Sequence, residues 1–472
     1  MNISSLNKVV ASIEGWMATY FHPPFDGSGG IGGPIATYWA SSPYMVGPYV
    51  MNSYGLIRGL CARAQDDNAG EARKRAEQLA LYYLRSQDPT SGFVVCCWGE
   101  EPFWGNGLVQ QASVVAALWD LHRTWPNPEL ARAAQKCWQS CLTNASMRTD
   151  WQAHNMALRA CEALILGIQA RGDSKPSPQE KAILHRVGRQ VEKAQWRGQT
   201  SVAGAIPQGW GDDSLIMPYQ GKCLYPLIAL ARFLDDPLFL DMAMRLAEFI
   251  DQNMRISGEG GPLLCGKYSV EGYELDKARR LYRFRRLLPF LEPKLRRLRQ
   301  SKITHWSLNP WPQWVARGLD TARGFYHLGQ ASGEPRYGSM ASAMVQKALQ
   351  FQTPLGGLRN TIGFFGENPE ENGGLVWQDV AAIPRWNSYA VQFLHELAAG
   401  TPVLEPIRPQ QAIEDVMTLA GNKRLIENVN ELYLVDGQGK IIWRIHKGYR
   451  WGRPFRPISQ WNEGASIAGR RC

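Results

Sequence analysis

Apolar residues recur along most of the chain at the three- and four-residue spacing that one face of an α-helix requires. The pattern predicts twelve helices and almost no alternating strand. The predicted ranges are residues 6–20, 44–64, 70–85, 107–124, 128–142, 150–169, 179–195, 217–234, 237–253, 311–329, 336–351 and 384–398. The sequence therefore predicts an all-α protein.

The predicted helices form six pairs of unlike members. One member is nearly apolar all round, as in residues 113–118, and the other carries charge on one face, as in residues 71–77. A helix that is apolar on every side must be buried, whereas a one-sided helix covers it against water. Links within pairs are short and links between pairs are long and glycine-rich. We therefore expect two concentric rings with the long loops on one working face.

Two of the long loops, residues 86–93 and 351–358, are alike. Each follows an outer helix, which a proline ends, and a glycine then turns the chain toward the next inner helix. With this helix count and loop pattern, residues 6–399 resemble the six-hairpin (α/α)6 toroid proteins. That group includes many carbohydrate hydrolases and lyases and also the terpenoid cyclases, so the resemblance predicts the architecture more narrowly than the chemistry.

Two segments depart from the plain toroid. Residues 258–305 form an insert, predicted to be helical, that holds many basic residues at 277–299. Residues 431–445 alternate around a glycine-containing turn and predict a β-hairpin. We expect a toroid domain over residues 1–400, which includes the insert, and a small C-terminal appendage over residues 401–472.

Composition narrows the class of protein. Hydrophobic residues make up 44% of the chain and charged residues 20%, which predicts a globular fold. No run of eighteen apolar residues occurs, and polar residues interrupt the first twenty-one, so we expect neither a membrane span nor a leader and predict a cytoplasmic protein. The nine cysteines are scattered and include no CxxC pair, which predicts reduced thiols, and none has zinc-type spacing with histidines, so we expect no metal. We also expect no cofactor.

The net charge of +10 favours an anionic partner. The expected partner is an acidic saccharide or another small molecule that is anionic or aromatic. The basic segment 277–299 is open to three interpretations: peripheral contact with an anionic membrane, a lid over the site, or a solvated helical pair. Nucleic acid is not expected, because the charge is confined to one segment and no nucleic-acid-binding motif accompanies it.

The residues before each inner helix of a double ring surround a central funnel. Four such stretches, residues 96–107, 149–155, 207–213 and 374–387, pair tryptophan with a carboxylate. Tryptophan stacks on sugar rings and carboxylates transfer protons at glycosidic bonds. The alternative is that tryptophan seals loop cores and aspartate caps helices. The predicted substrate-binding residues are Trp98, Trp104, Trp151, Trp210, Asp213, Tyr219, Trp377, Arg385 and Asn387.

Asp150 is the first choice for a catalytic residue, because it opens a predicted inner helix and His154 follows one turn later on the same face. A helix start lowers the pKa of a carboxylate, which suits a nucleophile or base. Glu100 or Glu101 would be the acid, since their aromatic neighbours would raise the pKa. Asp379 is a further candidate carboxylate.

Residues 149–156 are similar in position to a segment of the unsaturated glucuronyl hydrolases, which place an essential aspartate at the start of the third inner helix. This resemblance implies hydrolysis of a uronate glycoside with Asp150 in that role. A related hypothesis is a polysaccharide lyase, with His154 or Tyr219 as the base and Asn155 with Arg385 neutralising the uronate carboxylate.

Two alternatives come from other classes. A single-domain terpenoid cyclase needs an acidic aspartate and a wall of aromatic rings, and the glutamine-containing loops are similar to loops of that family. No Asp-x-Asp-Asp motif occurs, the nearest fragment being residues 211–214. The other alternative is a noncatalytic binding scaffold.

Overall fold

The computed structural model describes residues 3–18, 21–22, 33–34, 51, 53–66, 68–85, 87–94, 107–148, 150–173, 175–197, 201–209, 215–258, 261–264, 267–271, 305–309, 312–353, 356–363, 382, 384–399, 431–435 and 441–446. These ranges contain twelve α-helices. The helices are α1 (Ile3–Ala18), α2 (Tyr54–Ala62), α3 (Ala69–Arg85), α4 (Leu108–Thr124), α5 (Pro128–Thr143), α6 (His154–Ala170), α7 (Pro178–Ala194), α8 (Met217–Leu234), α9 (Pro237–Met254), α10 (Gly318–Ser332), α11 (Pro335–Leu349) and α12 (Pro384–Ala398).

Six helices form a closed inner ring. Along the ring α2 packs against α4, α4 against α6, α6 against α8, α8 against α10, α10 against α12, and α12 again against α2. Each inner helix has an outer partner: α3, α5, α7, α9 and α11 pack against the inner helix that precedes each of them in the chain, and α1 packs against α12. The predicted double ring is confirmed.

Glycines let the inner helices approach closely. A Cβ on Gly55 of α2 would collide with the backbone carbonyl of Ser388 on α12, and one on Gly221 of α8 would collide with the side chain of Thr321 on α10. Because neither glycine has a side chain, these helices pack at a separation that alanine would not permit.

The same arrangement of loop hydrogen bonds occurs three times. Gln87, Gln195 and Gln352 each donate a side-chain N–H to the carbonyl of a later glycine, over 2.8, 2.9 and 2.6 Å. Those glycines, Gly92, Gly204 and Gly356, have φ of +73°, +88° and +106°, which glycine adopts at little cost. In each loop the glycine N–H also donates to the carbonyl of the residue that follows the glutamine.

The same three loops are joined to the helix that follows them by an amide side chain. Gln111, Gln220 and Asn387 are each the fourth residue of α4, α8 and α12. Each amide exchanges two hydrogen bonds with the backbone of the residue two positions after the loop glycine, which is Val94, Ile206 or Leu358. The ring is therefore built from three similar units, and the sequence analysis found two of their loops.

The glycines of these loops also identify the outer helix of each unit. A Cβ on Gly92 would meet Lys136 of α5, one on Gly204 would meet Arg245 of α9, and one on Gly356 would meet Ser12 of α1. Helix α1 thus has the same place beside α12 that α5 has beside α4 and α9 has beside α8. The first helix of the chain completes the last unit.

The described strands are short and lie outside the two rings. They are β1 (Phe21–His22), β2 (Gly33–Pro34), β3 (Leu215–Ile216), β4 (Arg255–Gly258), β5 (Gly261–Leu264), β6 (Lys267–Glu271), β7 (His305–Asn309), β8 (Gln313–Trp314), β9 (Thr361–Ile362), β10 (Glu431–Val435) and β11 (Ile441–His446). All pairings are antiparallel, in the orders β1-β2, β3-β6-β7, β4-β5-β8-β9 and β10-β11.

The structure differs from the sequence predictions in the insert and at the start of α10. The insert predicted to be helical is bounded by strands β4 to β7, and its basic segment 277–299 lies outside the described residues. Helix α10 begins at Gly318 rather than at residue 311, because Gln313 and Trp314 pair with β9. The predicted C-terminal hairpin is present as β10 and β11. The division into domains at residue 400 stays a prediction.

Within the described ranges, no helix is both long and apolar enough to cross a membrane.

Candidate functional site

The N-terminal turns of the inner helices meet at one end of the ring. Arg159, Lys222 and Tyr389 are each the sixth residue of α6, α8 and α12, Tyr54 is the first residue of α2, and Arg317 directly precedes α10. All five side chains are buried. The ring centroids of Tyr54 and Tyr389 are 5.2 Å apart, and the Arg159 guanidinium lies 5.8 Å from each of them. With the contacts of Arg317 and Lys222 given below, this end of the ring is the candidate site.

The guanidinium of Arg317 lies among three aromatic rings. Its Cζ is 4.3 Å from the ring centroid of Trp386, 4.7 Å from that of Tyr219 and 5.1 Å from that of Trp314. A second guanidinium contacts the same indole: the Cζ of Arg385 is 4.5 Å from the ring centroid of Trp386. Burial lowers the pKa of Arg317, because the charged form loses water.

Lys222 is the second buried cation of this group, with a relative exposure of 5%. Its Nζ donates to the Tyr389 hydroxyl over 2.9 Å and lies 4.4 Å from the centroid of that ring. The Nζ is also 5.8 Å from the centroid of Trp386 and 6.0 Å from that of Tyr219. We call these residues, namely Arg317, Lys222, Tyr219, Trp314, Trp386 and Tyr389, the cation–aromatic cluster.

Burial and neighbouring cations lower the pKa of Lys222 well below its ordinary value. The largest cause is desolvation, and the guanidinium of Arg317 adds to it, followed by those of Arg385 and Arg159. Asp320 opposes the shift but does not cancel it. The cluster therefore holds an amine that gives up its proton more readily than a surface lysine.

A network of ion pairs lies beneath the cluster, in the middle of the ring. Arg159 contacts Asp320 over 3.4 Å and Glu162 over 2.6 Å, and Arg58 contacts Glu162 over 2.5 Å. Burial alone would raise the pKa of Glu162, but Arg159, Arg58 and Arg323 lower it to about 2. The other members are Asp120, Tyr225, His327 and Glu396, so all six inner helices contribute.

The cluster differs from this network in its charge balance. Among the described residues, no carboxylate forms an ion pair with Arg317 or with Lys222, whereas Arg58, Arg159 and Arg323 all have such partners. A buried cation without a counter-charge is costly, so it is expected to meet an anion from elsewhere. This imbalance is the main chemical feature of the candidate site.

Asp150 lies at the start of α6, as predicted, but in a separate 3-10 turn rather than in the helix. Its Oδ2 accepts the N–H of Leu108 over 2.8 Å, so it caps α4, whose own N-cap residue, Gly107, has no side chain. The predicted lowering of the pKa of Asp150 is wrong. Burial raises that pKa, and the Leu108 hydrogen bond offsets the rise only in part.

Three other predicted site residues have backbone partners. Nδ1 of His154 lies 2.7 Å from the Pro207 carbonyl, and Nε1 of Trp151 donates to the Cys141 carbonyl over 3.1 Å. Asn387 holds Leu358 with both ends of its amide, as described above. These contacts shape loops and helix starts. Tyr219 and Arg385, by contrast, lie in or beside the cation–aromatic cluster, and their role in substrate binding stays a prediction.

The remaining predicted site residues lie outside the described residues. They are Glu100, Glu101, Asp379, Trp98, Trp104, Trp210, Asp213 and Trp377. In the part of the chain that the structure describes, no three His, Cys, Asp or Glu side chains come together in a way that could hold a metal ion.

Sequence reasoning missed Arg317, Lys222 and Tyr389. A signal for Lys222 was present, because it stands in a helix that is apolar on nearly every side, where a charged residue must be paired or must have a function. Arg317 was harder to recognise, because the sequence predicted a helix over residues 311–329 and so placed Arg317 inside it rather than at a helix start.

The double ring is shared with solved structures of sugar-processing enzymes. A sugar epimerase from a ruminal bacterium has a TM-score of 0.56 and 12% identity, over 84% of this chain and 98% of that one. Cellobiose 2-epimerase from Bacillus thermoamylovorans B4167 has a TM-score of 0.53 and 10% identity, over 83% and 99%. A glycosyl hydrolase of family 88 from Bacteroides vulgatus has a TM-score of 0.51 and 10% identity, over 84% and 99%.

These likenesses extend over nearly the whole length of each neighbour and identify the fold as the (α/α)6 toroid. The resemblance inferred from helix count and loop pattern is confirmed. Neither a protein-family model nor a curated protein sequence matches the chain.

Proposed function

We propose that the protein is a carbohydrate-active enzyme that cleaves a glycosidic bond in an acidic, uronate-containing saccharide at the cation–aromatic cluster. The observation that carries the proposal is the pair of buried cations, Arg317 and Lys222, which have no carboxylate partner among the described residues and lie between indole and phenol rings. A uronate supplies a carboxylate for the cations and a ring face for the indoles.

The enzymes with the same ring support the saccharide part of this proposal. The solved structures that share it include sugar epimerases, a glycosyl hydrolase and a polysaccharide lyase. In this proposal Asp150 is the proton donor rather than the base, since burial raises its pKa. Glu100, Glu101 and Asp379 stay predicted carboxylates of the same site.

The cation–aromatic cluster argues against the terpenoid cyclase alternative. Aromatic walls stabilise carbocations, but Arg317, Lys222 and Arg159 would raise the energy of a cationic intermediate next to them. The glutamine-containing loops do not favour that alternative either, because their amides bond to backbone carbonyls and fix the fold.

The test compares uronate-containing oligosaccharides with the same oligosaccharides whose carboxylates have been reduced to alcohols. We expect the wild-type protein to cleave the acidic form and to discriminate against the reduced form. Arg317→Gln should lower kcat/KM for the acidic form about 10- to 100-fold, because a hydrogen bond to a charged group contributes about 1.5–3 kcal/mol. It should leave the reduced form nearly unaffected.

Arg132→Gln is the control, since Arg132 is exposed on the outer helix α5. Equal cleavage of the acidic and reduced substrates would contradict the uronate assignment. Binding of the acidic saccharide without any turnover would favour the noncatalytic scaffold.

A further inference from the structure

The surroundings of Lys222 are those of a reactive amine rather than those of a structural cation. Its described hydrogen-bond partner is a neutral phenol, Tyr389, at 2.9 Å. Arg159, a buried basic residue of the same end of the ring, has two carboxylate partners, Glu162 and Asp320. A lysine that served only to balance charge would be expected to have the same kind of partner.

The positions of the helices act in the same direction. Lys222 is in the second turn of α8, and the N-terminal turns of α10 and α12 lie next to it through Arg317 and Tyr389. The N-terminal end of a helix carries partial positive charge, which disfavours an ammonium nearby. Three such ends act together with Arg317, Arg385 and Arg159 against the charged form, which Asp320 favours.

We propose that Lys222 Nζ removes the proton next to the substrate's carboxylate while Arg317 binds that carboxylate, so that the glycosidic bond is broken by β-elimination. This inference rests on the proposed function and names the route and the base for the same site. The guanidinium makes the adjacent C–H more acidic by stabilising the charge that develops on the carboxylate oxygens.

The step balances as follows. The C5–H bond breaks and its proton goes to Lys222 Nζ, and its electron pair becomes the C4=C5 double bond. The C4–O bond breaks, and the departing oxygen takes a proton from the acid of the proposed function. Proton exchange with water then restores both groups, and no oxidant or reductant is required. Tyr389 is a positioning residue, because its hydroxyl orients the amine through the 2.9 Å contact.

The test begins with the wild-type product. Elimination leaves an unsaturated uronate, which absorbs in the ultraviolet, whereas hydrolysis leaves two saturated sugars. The expected result is an unsaturated product together with a rate decrease on a substrate that carries deuterium at C5. Saturated products would overturn this inference and leave the proposed function standing. Failure to cleave any uronate saccharide would overturn the proposed function itself.

Variants then test the residue. Lys222→Arg keeps a cation but removes the base, so we expect kcat to fall at least about 10²-fold, the lower range for a general base, while the substrate's Kd changes little. Lys222→Met is the second variant, in case the larger guanidinium does not fit. Lys193→Arg on the exposed surface of α7 is the matched control. A folded Lys222→Met protein that still forms the unsaturated product would overturn the inference.

The pH profile separates a base from a structural role. The charged and titratable groups that face Lys222 are Arg159 from α6, Tyr219 from α8, Arg317 at the N-cap of α10, Asp320 from α10, and Arg385 and Tyr389 from α12. Asp320 favours the protonated amine, so Asp320→Asn should move the acid limb of kcat/KM to lower pH. A limb that stays in place or moves to higher pH would show that Lys222 is not the titrating base.

Discussion

Individual residues explain why the middle of the ring and the end that holds the cation–aromatic cluster differ in charge. In the middle of the ring Glu162 contacts Arg58 and Arg159, so opposite charges are matched. At the end where the N-terminal turns meet, aromatic rings take the place of carboxylates around Arg317 and Lys222. Among the described residues, the middle of the ring therefore holds matched charges, whereas its end holds two buried cations among aromatic rings.

Asp150 has two roles in this account, and two substitutions separate them. Asp150→Asn keeps an oxygen that accepts the Leu108 N–H, whereas Asp150→Ala loses it. We expect the alanine variant to lose about 1 kcal/mol in the free energy of unfolding, the usual contribution of a helix cap, and the asparagine variant to stay close to wild type. Urea denaturation measures both values.

Turnover should fall in the asparagine variant as well, because an amide cannot donate the carboxyl proton. An asparagine variant with full activity would reduce Asp150 to a helix cap.

Sequence reasoning selected Tyr219 and Arg385 because each stands beside a recognisable helix start, and the structure places both in or beside the cation–aromatic cluster. Lys222 and Arg317 were missed, because their setting depends on aromatic side chains that several different elements bring together. The raised pKa of Asp150 was missed because it comes from burial, which depends on how several elements pack around the carboxyl group.

At the scale of elements, the threefold loop is the feature that the sequence revealed only in part. The loops at Gln87 and Gln352 are similar in length, five and four residues from glutamine to glycine. The loop at Gln195 needs nine residues to reach Gly204, yet it makes the same hydrogen bonds. Spacing in the sequence therefore concealed a likeness that the backbone geometry makes plain.

The amide clamps of these loops should be important for stability. Gln220→Ala would leave the buried N–H and carbonyl of Ile206 without their partner, and each such group costs about 1–3 kcal/mol. We expect a decrease of about 2–4 kcal/mol in the free energy of unfolding, measured by urea or thermal denaturation. The expected decrease is the cost of two unsatisfied backbone groups, reduced because the loop can relax around the shortened side chain.

Gln139→Ala, on the exposed face of α5, is the matched control and should change stability by less than about 0.5 kcal/mol. Equal stability of the two variants would mean that the clamp is not needed to hold the loop.

At the scale of the whole molecule, a buried ion pair joins the two ends of the ring-forming sequence. Glu14 of α1 and His395 of α12 lie 2.7 Å apart, and Arg75 of α3 lies 3.4 Å from the same carboxylate. Burial would raise the pKa of Glu14, but His395, Arg75 and Arg63 lower it below the ordinary value.

Because the pKa of Glu14 is lowered in the folded state, the free energy of unfolding should decrease at acid pH. The stabilisation from Glu14 is fully present above the pKa of an unfolded glutamate, near 4.5, and is lost as the pH falls through the lower pKa of the folded state. Glu14→Gln should therefore lower the free energy of unfolding at neutral pH, by up to about 3–5 kcal/mol for a broken buried pair.

The difference between Glu14→Gln and wild type should shrink toward acid pH, and denaturation curves across pH would measure it. Glu77→Gln, which loses an exposed pair with Arg73, should show little effect at any pH. A Glu14 effect that did not depend on pH would contradict this account.

The position of α1 beside α12 means that the order of the helices in the sequence differs from the order of the modules in the ring. Because α1 stands to α12 as α5 does to α4 and α9 does to α8, the toroid is a set of three equivalent modules whose third module is divided between the beginning and the later part of the sequence. Helix order in the sequence is thus offset from module order in space. A comparison that aligns relatives by linear order alone would miss a circularly permuted one, in which the same module starts elsewhere.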